Sequence, residues 1–239
     1  SEDTCVLNYE DPILRAFGEN LQIRVLFFSS ERKLKQGLYL EDETIWYADE
    51  SQKLAICKTQ DLNIVGKHNY ENVMAAAGMA LSYGVPLEKI QEAVKAFQAV
   101  EHRIEFVTEK SGVVYYNDSK GTNPDAAIKG IQAMSRPTLL IGGGYDKGSD
   151  YTEWIQSFDG KVKYLVLLGV TKEKIAETAR KCGFDNIIMT ESLEEAVKVC
   201  AENAESGDAV LLSPACASWD MFPSYEVRGR RFKELVRNL

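Results

Sequence analysis

The 239-residue chain carries 28 lysines and arginines against 36 aspartates and glutamates, a formal charge of −8, with 45% hydrophobic and 27% charged residues. Such a composition belongs to a globular protein and excludes disordered and fibrous classes. The acidic balance offers no uniform positive field for nucleic acid, and no apolar run approaches the ~20 residues of a membrane helix, so neither is an expected partner.

In chain order, Cys5 to Asn8 reads as a short strand, and Asp11-Pro12 as a helix cap with proline at the first helical position. Gln22 to Ser29 is mostly apolar. The runs 37–40, 44–47 and 53–57, separated by acidic turns, read as a small antiparallel meander. From Asn69 the apolar positions recur at helical spacing, Gly84 stops that helix, and Pro86 starts another. Strands at 104–108 and 113–116 flank a turn at Ser111-Gly112. A boundary falls near Val100.

Beyond it, helices at 124–134, 151–158, 171–182, 192–204 and 225–236 alternate with short apolar strands at 138–141, 162–168, 187–189 and 209–212. This alternation marks an α/β, doubly wound, Rossmann-like, mostly parallel sheet. Ligands of such sheets sit at the carboxyl ends of the strands, which directs attention to the loops after Tyr116, Ile141, Leu168 and Leu212.

The loop Asn117-Asp118-Ser119-Lys120-Gly121-Thr122-Asn123 ends at a helix start, where free backbone amides favour an anion. An ordinary turn capped by Asn123 is the alternative. The loop Gly142-Gly143-Gly144-Tyr145-Asp146-Lys147-Gly148 lets backbone approach a ligand and projects a lysine. It is neither a Walker A loop nor a dinucleotide fingerprint, and no other segment supplies either. After Leu212, the stretch Ser213 to Phe222 offers Ser218 to a carboxylate, with helix capping as the alternative. In the first part, Asn69 and Asn72 share one helix face and suit a planar ligand such as a base, unless they cap. Arg103, beside Glu101 and His102, is placed to contact a nucleotide, with a salt bridge as the alternative.

The five cysteines, Cys5, Cys57, Cys182, Cys200 and Cys216, are odd in number and widely spaced in apolar surroundings, the usage of reduced thiols in a cytoplasmic protein. With only His68 and His102 available, no zinc site of paired cysteine and histidine is expected, and no metal ligand is assigned. The chain begins at Ser1 with no basic leader, which reads as a processed or truncated start.

Together, the His68-Asn69-x-x-Asn72 set, the Glu101-His102-Arg103 set, the loop 117–123, the GGGYDKG loop and SPACASWDMF followed by Tyr225, Arg228 and Gly229 resemble the Mur ligases, in particular their D-glutamate-adding branch. Lys120 and Thr122 replace the motifs that other branches carry at that loop. The resemblance implies that residues 1–100 correspond to the last part of the central ATP-binding domain and residues 101–239 to the amino-acid-binding domain. It also implies that the chain starts after the uridine-nucleotide domain and the phosphate loop, so the chain is expected to be a carboxy-terminal fragment, inactive alone and monomeric.

The implied reaction joins D-glutamate to UDP-N-acetylmuramoyl-L-alanine through an acyl phosphate, using ATP and Mg2+, in peptidoglycan synthesis; the main Mg2+ ligands would lie outside this chain. Carried over by residue, Asn69, Asn72, Arg103, Asp118 and Lys120 would bind ATP, and Thr122, Lys147, Ser218 and Tyr225 would bind D-glutamate. Lys120 and His102 would be catalytic. The competing expectations are a non-catalytic small-molecule binding module derived from such a ligase, and a relative with another amino-acid acceptor.

Overall fold

The structure, a computed structural model, describes residues 3–239, which fall into two units divided between Gln98 and Ala99. In the first unit, β1 (Thr4–Asn8) is followed by Asp11, whose carboxylate accepts from the backbone N–H groups of Ile13 at 2.8 Å and Leu14 at 3.0 Å. That cap, with Pro12 next, starts α1 (Pro12–Glu19). One sheet then holds β1, β2 (Arg24–Ser29), β3 (Gly37–Glu41), β4 (Thr44–Ala48) and β5 (Lys53–Lys58) in sequential order.

Strands β3 to β5 form the antiparallel meander visible in the sequence, and Asp42 and Glu43, with φ of 48° and 55°, close its first hairpin as a two-residue primed turn. The other edge was not visible: β1 pairs with β2, and β2 with β3, in parallel. α2 (Lys67–Ser82) lies on β1, β2 and β3. Gly78 permits the approach, since a Cβ there would stand 3.1 Å from Val6, Leu26 and Leu38. α3 (Leu87–Ala96) packs against α2 and β5.

The second unit begins with the hairpin of β6 (Glu105–Lys110) and β7 (Val113–Asn117), turned at Ser111 and Gly112, both at positive φ. Then follow α4 (Pro124–Gln132), β8 (Thr138–Gly143), α5 (Thr152–Gln156), β9 (Val162–Leu168), α6 (Lys172–Lys181), β10 (Ile187–Met189), α7 (Leu193–Asn203), β11 (Ala209–Leu212) and α8 (Tyr225–Arg237). The sheet order is β10-β9-β8-β11-β7-β6, parallel throughout except for the edge strand β6.

Leu139 to Ile141, Leu165 to Leu167 and Val210 to Leu211 are fully buried, as continuous apolar strands covered on both faces should be. One face packs Tyr115, Ile141, Val166 and Val210 against Val197, Phe232 and Val236 of α7 and α8. The five cysteines are free thiols; Cys182, expected in apolar surroundings, is exposed at the end of α6, whereas Cys57, Cys200 and Cys216 are buried.

The placement that matters most for a site is that of β11. It inserts between β7 and β8, and its last residue, Leu212, lies opposite Asn117 on one side and Ile141 on the other. Three loops far apart in sequence therefore leave the same edge of the sheet from adjacent strands.

Candidate functional site

At the end of β7, the buried Asn117 amide donates to Glu105 Oε2 at 3.0 Å and lies 2.9 Å from His102 Nδ1, while its oxygen accepts from the Ser119 N–H. A carboxylate only accepts, so the amide nitrogen is the donor end, and His102 Nδ1 must accept its second hydrogen. The imidazole proton then sits on Nε2. Burial, at 2% exposure, lowers the histidine pKa, so the ring is neutral. Gly229 makes room for it, since a Cβ there would stand 2.3 Å from Nδ1. The carbonyl of His102 accepts from the Lys120 N–H at 3.0 Å. His102, expected as a catalytic group, is buried and bonded through its carbonyl to the Lys120 backbone.

Glu101, His102 and Glu105 bring three potential metal-ligand atoms within 4.8 Å. The Lys233 ammonium already bridges the two carboxylates at 2.7 and 2.8 Å, and Nε2 carries a proton. The group is an ion-pair cluster that needs no cation.

Asp118, expected at the nucleotide, is 6% exposed, with Oδ2 accepting from Ser213 Oγ at 2.7 Å and Oδ1 from the Ile104 N–H at 3.3 Å. Burial pushes its carboxyl up to about 7 despite those two hydrogen bonds. Its carboxylate ties the loop after β7 to the loop after β11. Ser119 is also buried, and its hydroxyl donates to the Tyr225 carbonyl at 2.8 Å.

The second tie is Arg228 of α8, 3% exposed, whose guanidinium reaches Ser119 Oγ at 3.0 Å, the Ser119 carbonyl at 2.9 Å and the Cys216 carbonyl at 3.2 Å. It has no carboxylate within salt-bridge distance among the described residues, and burial brings its pKa down to about 10. These fastenings leave Lys120 half-buried, its ammonium 5.4 Å from the centre of the Tyr225 ring. Thr122 follows, partly exposed, and Asn123 caps α4 through a 2.9 Å bond from the Ala126 N–H. Capping and ligand-facing roles therefore fall on different residues of this loop.

The loop after β8 needs its glycines. Gly143 and Gly144 have φ of 102° and 139°, and a Cβ would fall 2.1 Å from the Leu168 carbonyl oxygen or 2.3 Å from that of Ala217. Tyr145 and Ala217 exchange both backbone hydrogen bonds, at 2.9 and 3.1 Å, which fixes this loop to the one after β11. Asp146 accepts from the N–H groups of Gly148 and Ser149 and binds Lys174 at 2.6 Å, leaving Lys147 to project. The Lys147 ammonium lies 5.0 Å from the centre of the Trp219 ring. Neither Lys120 nor Lys147 has a carboxylate partner among the described residues. Next to Trp219, Ser218 is 2% exposed, and its buried hydroxyl has no hydrogen-bond partner among the described residues.

Residues 102–216 match the model of the Mur ligase glutamate ligase domain. A UDP-N-acetylmuramoylalanine–D-glutamate ligase of Lachnoclostridium phytofermentans is 58% identical over 238 residues, covering 100% of this chain and 52% of that protein. The correspondingly named protein of Clostridioides difficile is 47% identical, over 100% of the chain and 52% of its own length. Over its whole length the chain is similar in sequence to these Mur ligases. It spans about half the length of the curated relatives it matches. Among solved structures, the UDP-N-acetylmuramate–alanine ligase of Thermotoga maritima superposes with a TM-score of 0.66 at 17% identity, over 98% of this chain and 51% of that one. A Thermotoga maritima MurF ligase in complex with ADP gives 0.61 at 17%, over 98% and 53%. At these identities the two structures establish the shared fold.

Asn69 and Asn72 belong to the first unit and the remaining candidates to the second. α2 starts one turn earlier than expected, at Gly66 and Lys67, so neither asparagine is its cap. Asn69 donates to the Val65 carbonyl at 2.7 Å, and Asn72 donates to Asn69 Oδ1 at 3.4 Å. Arg103 is exposed at the start of the second unit. The residues whose roles the sequence did not reveal are Asn117, Ser119 and Arg228. A buried arginine bonded to backbone carbonyls, on a helix rich in charge, looks in the sequence like any surface arginine; its place in the Tyr225-x-x-Arg228-Gly229 run was the signal.

Proposed function

We propose that this chain contributes the acceptor site of an ATP-dependent ligase that joins D-glutamate to UDP-N-acetylmuramoyl-L-alanine in peptidoglycan synthesis, in the cytoplasm and as a monomer. The observation that carries the reading is that the loop bearing Lys147, an ammonium with no carboxylate partner among the described residues, is joined through Tyr145 and Ala217 to the loop bearing the buried Ser218 hydroxyl, which has no hydrogen-bond partner among them. A buried donor left unsatisfied costs about 1–3 kcal/mol, and a carboxylate satisfies it. The names borne by the relatives support D-glutamate as the acceptor that brings it.

In this account the carboxylate of the nucleotide-linked substrate takes the γ-phosphoryl group of ATP and releases ADP. The D-glutamate amine then attacks the acyl carbon and releases phosphate. Lys147, Ser218, Thr122 and Tyr225 hold the carboxylates of D-glutamate, so that its amine approaches as in an intramolecular reaction. Lys120 and Arg103 neutralise phosphoryl charge, and Asn69 and Asn72 hold the adenine. Asp118 and His102 act behind the site, by positioning Lys120. Mg2+ would neutralise phosphate charge, and no residue of this chain is assigned to it.

Calorimetric titration of the chain with D-glutamate tests the reading. Binding is expected, weakened in Ser218→Ala and in Lys147→Ala. A D-glutamate affinity that neither substitution changes contradicts it.

A further inference from the structure

The acceptor site has an exposed aromatic wall that the proposed chemistry does not use. Trp219 is 63% exposed and Tyr145 45%, with ring centroids 5.8 Å apart and planes tilted by 48°. A large indole standing in water gains nothing from burial, so its contacts must explain its position. Its contacts include the Tyr145 ring and the Lys147 ammonium, which lies 5.0 Å from the indole ring centre. The backbone beneath is fixed: the Tyr145–Ala217 bridge sets the two loops in register, and the N–H groups of Met221 and Phe222 close a turn on the Ser218 carbonyl at 3.1 and 2.7 Å. The indole is therefore a firm platform, whereas Lys147 follows three glycines and precedes a fourth, Gly148, at φ 82°.

We propose that Trp219 is a positioning residue for the acceptor: its ring, backed by Tyr145, holds the Lys147 ammonium beside the Ser218 hydroxyl, ready for a carboxylate. A lysine on a flexible arch loses much of its charge-assisted bond to the entropy of being ordered. A ring that attracts the cation before the ligand arrives removes part of that cost. This inference rests on the proposed acceptor site.

The test uses the intact chain and compares Trp219→Leu, which keeps apolar bulk and loses the ring face, with Trp219→Phe, which keeps a ring. Because residue 219 is exposed, neither change is expected to unfold the chain. NMR of the Lys147 side chain reads the contact without ligand: ring-current shifts of its terminal methylene resonances are expected in the parent chain, reduced in Trp219→Phe and absent in Trp219→Leu. D-glutamate titration reads the consequence. An exposed cation–π contact corresponds to a roughly two- to fivefold weaker affinity in Trp219→Leu, with recovery in Trp219→Phe.

Unshifted Lys147 resonances in the parent, or a Trp219→Leu affinity equal to the parent's while Lys147→Ala binds more weakly, overturns the inference and leaves the acceptor site standing. A D-glutamate affinity indifferent to Lys147→Ala overturns the acceptor site, and the inference with it.

Discussion

Arg228 and Ser119 meet twice: Nε donates to the hydroxyl at 3.0 Å, and Nη2 donates to the backbone carbonyl at 2.9 Å. The same guanidinium reaches the Cys216 carbonyl, so one buried side chain of α8 fastens the loops after β7 and β11. A lysine cannot reproduce this planar fork. Arg228→Lys should destabilise the second unit by on the order of 1–3 kcal/mol for each acceptor left unpaired. Denaturant unfolding followed by circular dichroism checks it, and a midpoint unchanged from the parent would remove Arg228 from this role.

Asp118 gives a pH dependence of definite sign. Its carboxyl is raised from 3.8 to about 7 in the folded chain, so between pH 4 and 7 the folded state binds more protons than the unfolded one. The contribution of Asp118 is fully present below about pH 4 and is lost as pH rises through about 7, with a slope of up to about 1.4 kcal/mol per pH unit. His102, whose pKa is lowered by burial, acts in the opposite direction as pH falls. The difference between the parent and Asp118→Asn isolates the carboxyl: the variant should gain stability relative to the parent as pH rises from 4 to 7. Urea midpoints across that range would show a flat difference if Asp118 were solvated.

Ser218→Ala separates ligand binding from folding. The hydroxyl is buried without a partner, so removing it breaks no hydrogen bond. Thermal melting should leave the midpoint unchanged or raise it, while D-glutamate binding weakens. A fall in midpoint would mean that Ser218 supports the fold.

Gly144→Ala should disrupt the loop after β8. At φ 139° the added Cβ meets the Ala217 carbonyl oxygen at 2.3 Å, so the Tyr145–Ala217 bridge must open. Amide exchange at residues 145 and 217, slow in the parent, should become fast. Continued protection would show that the loop accommodates the methyl group.

The sequence showed the second unit well because its strands are short apolar runs punctuated by glycine, and buried parallel strands have that signature. It also singled out Lys120, Lys147 and Ser218 as candidates, because they stand in polar or small-residue loops. It did not show that β11 inserts between β7 and β8, since strand order depends on pairing distant in sequence. That order brings Asp118 to Ser213, an internal tie that the sequence did not show. The parallel pairing of β1, β2 and β3 escaped for the same reason. Arg228 escaped because residue type reports charge and not burial.

The two unpaired lysines give the most direct test of the acceptor assignment. The part of the Lachnoclostridium phytofermentans relative that this chain does not cover can be joined to the chain, which is 58% identical to that relative over the shared region, to give a hybrid of the relative's full length. Steady-state kinetics with each substrate varied in turn then compares Lys147→Ala with Lys120→Ala. A charge-assisted bond to a carboxylate contributes about 1.5–3 kcal/mol, so Lys147→Ala should raise KM for D-glutamate roughly ten- to a hundredfold and leave KM for ATP unchanged. Lys120→Ala should instead impair the ATP-dependent step. A Lys147→Ala enzyme with a raised KM for ATP and an unaltered KM for D-glutamate would contradict the assignment of these loops.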